Sequence, residues 1–381
     1  MSTSNVETRG AETPKPDAGV PQDDPTSNAQ ATGSLELRPL TRSDDATRDA
    51  YVDAHAQGSP FHLAGWRRAS EIVFGHQSRD LGAFRNGQLV GVLPLMRCAK
   101  PWGPANLIST PYGVYGGPLA DDDATEAALV DAACSLAERE GVGRLELRCI
   151  DAPATSPGVE LVEHDLYATF VRDVPEDPAE VMKRMPKRAR AEVRKGIKQG
   201  IELSEGAWFV EDLARLFLSS KRSLGSPALP AAWFTTLQEQ LGPERTAVHL
   251  ARVGSEAVAA TMSFIHRDTL YLYYIGTSDA GNRVYKATNF LVTTLQEVTS
   301  ERGLKQFDLG RSRVDSGPYS FKKHQGFEPQ PLAYRLKLVR STSKPSFNPS
   351  NPRTKVLRDT WTKMPLWLAR QLATPLSRYL P

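Results

Sequence analysis

Cysteine is scarce in this chain of 381 residues: Cys98, Cys134 and Cys149 are an odd number without Cys-x-x-Cys spacing. A disulfide framework and a zinc site built on paired thiolates are excluded, and the three thiols read as small buried apolar groups. The seven histidines are scattered, with no His-Glu-x-x-His or comparable pattern, so no metal centre is indicated. No stretch reaches the roughly 18 consecutive apolar residues of a membrane-spanning helix. Neither charge dominates, since 47 Lys+Arg against 44 Asp+Glu leave a formal +3. No global field therefore directs the chain to nucleic acid or an anionic membrane, and any anion site has to be local.

What is present is a globular composition, 40% hydrophobic and 24% charged, in a chain too long for one ordinary domain. Residues 1–34 are rich in Pro, Thr, Asp and Gly and lack the charged-then-apolar order of a signal peptide, which predicts a disordered tail. Reduced thiols and a cytoplasmic location follow as the default, with peripheral attachment to the inner face of the membrane as a variant of it.

Two segments share one plan. Residues 81–95 alternate into an Asn86-Gly87 turn and out again, a hairpin signal that recurs over 249–264 around Gly254-Ser255 and is followed by a strand over 269–276. An amphipathic helix from Leu129, a C-capping Gly141 and a strand at 144–148 are likewise matched by a helix from Leu291, Gly303 and a strand at 305–309. The two units recur at a separation of roughly 165 residues, which supports duplication of a whole domain. Between them, residues 188–198 read as a basic helix ended by Gly200 and followed by a strand at 201–203.

After Arg340 the chain turns Ser-, Thr-, Pro- and Asn-rich, as linkers do. A tail from Lys355 then carries Trp361, Trp367 and several leucines among Lys and Arg, with Pro365 and Pro375 breaking any single long helix. Docking on the protein's own core or on a partner and contact with a membrane surface are both open to such a tail.

The ordered segments Phe61-His-Leu-Ala-Gly-Trp66, Tyr112-Gly-Val-Tyr-Gly-Gly-Pro118, the basic helix, and Phe307-Asp-Leu-Gly-Arg-Ser312 leading to Tyr319-Ser-Phe-Lys-Lys-His-Gln-Gly-Phe327 together resemble FemAB-related proteins of the GNAT superfamily. More narrowly, they resemble the FemAB-like proteins of exosortase/PEP-CTERM and exopolysaccharide loci and the related acetyltransferase domain of cellulose-biosynthesis proteins. The resemblance spans roughly residues 35 to 340. It implies an α+β chain of two tandem GNAT-like domains, each a mixed, mostly antiparallel sheet flanked by helices. The first would cover 35–165, the second and catalytic one 166–340, and 341–381 would be linker and amphipathic tail. Fem-type enzymes pass an aminoacyl group to an amine of a cell-wall precursor.

The resemblance carries Lys322 over as the lysine that stabilises the developing oxyanion, a role suited to a point-charge ammonium, with Phe321 expected to begin a strand. A solvated lysine guarding a sheet edge is the plainer alternative. Asp308, opposite in facing to Phe307 and Leu309, could orient the acceptor amine, receive its proton, or pair with Arg311. Arg311 and Ser312 follow Gly310 in a loop suited to phosphate, and Lys323 and Tyr319 flank the matched lysine. Arg190, Arg194 and Lys198 share one helix face and could meet a phosphorylated substrate, or simply water. Tyr112 and Tyr115 belong to a loop that the resemblance turns toward the acceptor, or that merely closes a sheet, and His62 lies in the matched Phe-His segment.

Residues 281–286 hold one glycine where GNAT enzymes cradle coenzyme A pyrophosphate at a helix N-terminus. No tightly bound cofactor is expected, and the donor is acyl-CoA or aminoacyl-tRNA. The expected function is transfer of an acyl or aminoacyl group onto an amine of a cell-envelope, peptidoglycan or exopolysaccharide precursor. A catalytically silent module that binds a glycan or precursor in exopolysaccharide or protein-sorting machinery is the alternative.

Overall fold

The structure, a computed structural model, describes residues 33–345 and 352–380. The tail expected over 1–34 thus lies almost wholly outside the described residues, as does part of the expected linker. From Leu35 the chain runs β1 (Leu35–Pro39), α1 (Asp45–Ala54), α2 (Ala64–Phe74), β2 (Gln77–Ser78), β3 (Leu81–Arg85), β4 (Gln88–Leu93), β5 (Met96–Cys98), β6 (Asn106–Ile108), β7 (Leu119–Ala120), α3 (Asp123–Arg139), β8 (Arg144–Leu147) and β9 (Val162–Glu163). Then come β10 (Tyr167–Thr169), β11 (Val171–Asp173), α4 (Val181–Arg184), α5 (Lys187–Lys198), β12 (Ile201–Glu205), α6 (Val210–Ser223), α7 (Ala231–Leu241), β13 (Thr246–Val253), β14 (Glu256–His266) and β15 (Thr269–Thr277). The rest is α8 (Asp279–Arg283), α9 (Ala287–Glu301), β16 (Gln306–Asp308), β17 (Ser312–Arg313), α10 (Gly317–His324), β18 (Gln330–Pro331), β19 (Arg335–Leu338), α11 (Pro352–Lys363) and α12 (Leu366–Ser377).

The repeated plan is visible in the details. Asn86 and Gly87 take left-handed φ of 52° and 78° to turn β3 into β4, and a register shift sits just before that turn, between Ala83 and Phe84. The β13–β14 hairpin has the same irregularity, between Ala251 and Arg252. Gly141 and Gly303 both end a helix in the left-handed region, at φ 57° and 69°, where a side chain would be strained. In each half the strand after that helix joins its sheet parallel, β8 to β6 and β16 to β15, while the other pairings are antiparallel.

The second-half sheet has the order β11-β16-β15-β14-β13-β12. The first-half sheet, β2-β5-β6-β8-β19-β9, includes a strand from near the end of the chain, because β19 pairs with both β8 and β9. Side chains from both halves build one aromatic core: Trp66 meets Trp233 and Phe264 edge-on at 5.5 and 5.4 Å, and Phe74 lies 5.2 Å from Trp233. Such ring pairs add to area burial and fix orientation. The three cysteines are buried and free.

Two local expectations are corrected. The strand expected to begin at Phe321 is the helix α10, whose Ser316 cap accepts from the Tyr319 N–H and whose first turn holds Pro318. Ser-Gly-Pro is a helix-start signal, and it outweighs the aromatic residue that follows. Pro365 does separate α11 from α12, but Pro375 lies inside α12 without ending it. The tail packs on the core: Ala369, Ala373 and Ser377 are buried, and Arg222 donates to the Met364 carbonyl at 3.2 Å.

Candidate functional site

The site begins where a ladder stops. β15 and β16 pair in parallel only as far as Tyr271 and Asp308. In the next step β15 slips against β14, since Ser263 faces Leu272 and Met262 faces Tyr274, leaving Tyr273 as an extra residue. A bulge of this kind bends a strand and re-aims its side chains. Beyond it the strands part around a cavity of about 840 Å³, walled by β15, α6, the first turn of α9, the loop after β16 and α10. Gly276 permits the α6 wall to lie close, because a Cβ there would come within 2.3 Å of the Phe217 backbone nitrogen. Ser377 and Leu380 of the tail line the same cavity.

Lys322, Arg311 and Ser312 meet in this wall. The Lys322 ammonium is buried and donates to three successive carbonyls, Leu309 at 2.7 Å, Gly310 at 2.8 Å and Arg311 at 3.1 Å. All three of its protons are therefore engaged in holding the loop. Gly310 makes the turn possible with φ 64°. Burial pushes the Lys322 pKa down to about 7, with the Asp308 carboxylate opposing that shift and Arg311 adding to it; the three carbonyl acceptors favour the ammonium form. The Arg311 guanidinium bonds Tyr334 Oη at 3.1 Å and stacks over the Tyr167 ring at 4.6 Å. Tyr334 in turn donates to the Val114 carbonyl at 2.7 Å, tying the 112–118 loop to the site. Ser312 Oγ is buried without a hydrogen-bond partner among the described residues.

Asp308 is not paired with Arg311. Its carboxylate accepts from Tyr115 Oη at 2.7 Å and from the Gly310 N–H, and the Tyr115 hydroxyl also bonds Thr169 Oγ1. Burial raises the Asp308 pKa to about 6 against the lowering effects of Tyr115, Gly310 and Lys322. Asp308 and Tyr115 line a second cavity, of about 350 Å³, that also reaches Tyr271, Thr169 and His266. Asp308, a buried carboxyl of intermediate acidity, thus lines one cavity, and Leu309, Arg311 and Ser312 of the loop that follows it line the other.

The other expected residues divide. Tyr112 lines the large cavity from φ 62°, donating to the Ser377 carbonyl at 3.1 Å and meeting His76 Nε2 at 2.9 Å. His62 lies outside it: Nδ1 meets Ser59 Oγ at 2.7 Å, Nε2 meets the Gly117 carbonyl at 3.0 Å, and burial pushes its pKa down to about 3. It is a neutral core histidine that braces the 115–117 backbone. Tyr319 packs edge-on against Phe170 at 5.4 Å, and Lys323 is exposed beside it. Arg194 and Lys198 are exposed on α5 and Arg190 is half-buried; none of the three lines the large cavity. From α5 it is Glu192 that does, held by Lys195 at 2.8 Å and Lys286 at 3.6 Å.

Tyr273 and Lys286 are wall residues that the sequence reading did not single out. Tyr273 Oη donates to the Tyr112 carbonyl at 2.7 Å. The run Tyr271-Leu-Tyr-Tyr274, two adjacent tyrosines in a period-2 strand, was the readable sign of a bulge. Lys286 takes left-handed φ, 57°, at the N-terminus of α9.

Residues 183–323 match the family model described as acetyltransferase (GNAT) domain. No curated relative matches in sequence. Among solved structures, FemX is 13% identical with a TM-score of 0.63, over 80% of this chain and 98% of that one. A tandem GNAT protein from the clavulanic acid biosynthesis pathway is 15% identical with a TM-score of 0.51, over 82% of this chain and 100% of the other. A conserved protein of unknown function from Bacteroides thetaiotaomicron VPI-5482 is 12% identical, also at 0.51, over 80% and 100%. Residues 183–323 thus match an acetyltransferase (GNAT) domain, and about four fifths of the chain shares the α+β fold of FemX and of the tandem GNAT protein.

Proposed function

We propose, from the match of residues 183–323 to an acetyltransferase (GNAT) domain, that the chain transfers an acyl or aminoacyl group to an amine of a cell-envelope, peptidoglycan or exopolysaccharide precursor, with the reaction at the loop 309–312. The observation that carries this reading is the meeting of Lys322, Arg311 and the unpartnered Ser312 Oγ in one wall of the large cavity, with Asp308 behind the same loop.

In this reading the donor lies in the large cavity and the acceptor amine approaches from the side of Asp308. Asp308 takes the proton released as the amine adds to the carbonyl, a task for which a pKa near 6 suits it. The oxyanion meets Ser312 Oγ and the positive charge of Arg311 and Lys322. It then re-forms the carbonyl as the bond to the donor's leaving group, the coenzyme A sulfur or the tRNA ribose oxygen, breaks and that group leaves as thiolate or takes up a proton. Lys322 also sets the loop, so a direct bond to the oxyanion requires it to release one carbonyl. Tyr115 holds the Asp308 carboxylate in place, and Tyr112, Tyr319 and Lys323 shape the surroundings. The tandem GNAT structure is described as being without AcCoA, a naming of that donor that favours acyl-CoA here. The basic face of α5, with Arg190, Arg194 and Lys198, suits a phosphate-rich donor and keeps aminoacyl-tRNA in view.

Incubation with acyl-CoA pools, charged tRNA and precursor amines, read by product mass spectrometry, tests the proposal with Lys322→Ala as control. A mass increment lost in the variant supports it. Tight glycan binding with no increment from any donor would establish the silent module instead. The outward residues Leu366 and Trp367 support peripheral membrane contact through the tail. Removal of residues 352–381 is expected to reduce liposome co-sedimentation, and unchanged partitioning refutes that contact.

A further inference from the structure

Four cations line the large cavity, Lys221, Lys286, Arg311 and Lys322, against one carboxylate, Glu192. Three are accounted for within the protein. Lys286 lies 3.6 Å from Glu192, Lys322 donates to three carbonyls, and Arg311 is bonded to Tyr334 and stacked on Tyr167. Lys221, near the end of α6, is different. Its ammonium has the Phe217 ring face 5.1 Å away and, among the described residues, no carboxylate in ion-pair range and no hydrogen-bond acceptor.

We propose that Lys221 is an anion-binding residue of this cavity, taking a phosphate or carboxylate group carried by the substrate that fills it. The proposal rests on the reading of the cavity as the substrate site. Lys221 is half-buried, and its side chain lines the cavity with no counter-charge, so an anion that enters meets a cation that no group of the protein neutralises. Burial lowers its pKa, and no neighbouring acid opposes the shift. Ser312 Oγ, buried and unpartnered in the same cavity, is a second group waiting for a polar ligand. Lys221 lies on the α6 wall and Ser312 at the start of β17, so one extended molecule with an anionic group at one end and a reacting carbonyl at the other satisfies both.

The test is calorimetric titration of the full chain with inorganic pyrophosphate and, separately, with succinate at constant ionic strength, in wild type, Lys221→Met and Lys221→Arg. Wild type is expected to bind one of the two anions, Lys221→Met about ten- to hundredfold more weakly, and Lys221→Arg close to wild type. Which anion binds identifies the chemistry of the ligand group. Without anion, Lys221→Met is expected to melt no lower than wild type, since an uncompensated charge has been replaced by an apolar chain of similar shape. Equal binding by wild type and Lys221→Met, or binding of neither anion, overturns the proposal. Loss of Lys221-dependent binding while acyl transfer persists removes this proposal alone. Lys221-dependent binding without any transfer removes the reaction and leaves the anion site.

Discussion

At the scale of single residues the account turns on Asp308 and Lys322. Because the Asp308 pKa is raised from 3.8 to about 6, the folded state holds its proton more tightly than the unfolded chain. Its contribution to stability is present below about pH 4 and is lost as pH rises through 6. Asp308→Asn should therefore be more stable than wild type at pH 8, by on the order of 1–3 kcal/mol, and lose that advantage at pH 4. The same variant should abolish transfer, while in wild type kcat/KM should climb with pH through about 6 and then level. Equal stabilities at pH 8, measured by calorimetry, would contradict the buried carboxyl. Lys322→Met strips three buried carbonyls of their donor; about 2–4 kcal/mol of stability should be lost in denaturant titration, and kcat should fall on the order of a hundredfold. Lys322 was singled out through the resemblance and Asp308 through its facing at the end of a strand. Their partners were not, because Tyr115 is 193 positions from Asp308, and no local pattern announces a contact made across two halves of a chain.

At the scale of elements, what was legible is what local chemistry decides. The Asn86-Gly87 turn, the glycine-capped helices and the basic helix are set by backbone conformation and by periodicity over a few residues. The strand order is not, and the pairing of β19 with β8 joins positions near 145 and 337. The tail was legible as amphipathic but not as a wall of the cavity. Its buried face is small, Ala369, Ala373 and Ser377, and small side chains give little periodic signal against the leucines and tryptophans around them. Removal of residues 352–381 deprives the Tyr112 hydroxyl of the Ser377 carbonyl and uncovers α6. The truncated chain should still fold, with a Tm lower by on the order of 5 °C. An unchanged Tm would show that the tail is not docked in solution.

At the scale of the whole molecule, the two halves share one aromatic core, to which Tyr112 and Tyr115 of the first and Phe264, Tyr271 and Tyr274 of the second all belong. Five of the seven histidines, His62, His76, His164, His249 and His266, have pKa values lowered by burial. Each is protonated more readily in the unfolded chain, so its stabilising contribution is complete above about pH 6.5 and falls away on acidification. Calorimetry should find a lower Tm at pH 5 than at pH 7.5, despite the opposite contribution of Asp308. The central claim is one of place: a donor in the large cavity, its carbonyl at the loop 309–312. A crystal structure with a hydrolysis-resistant acyl donor tests that most directly. The account predicts the acyl carbonyl within hydrogen-bond distance of Ser312 Oγ, between the loop and α10. Donor bound elsewhere, with the cavity empty and Ser312 still unpartnered, would contradict it.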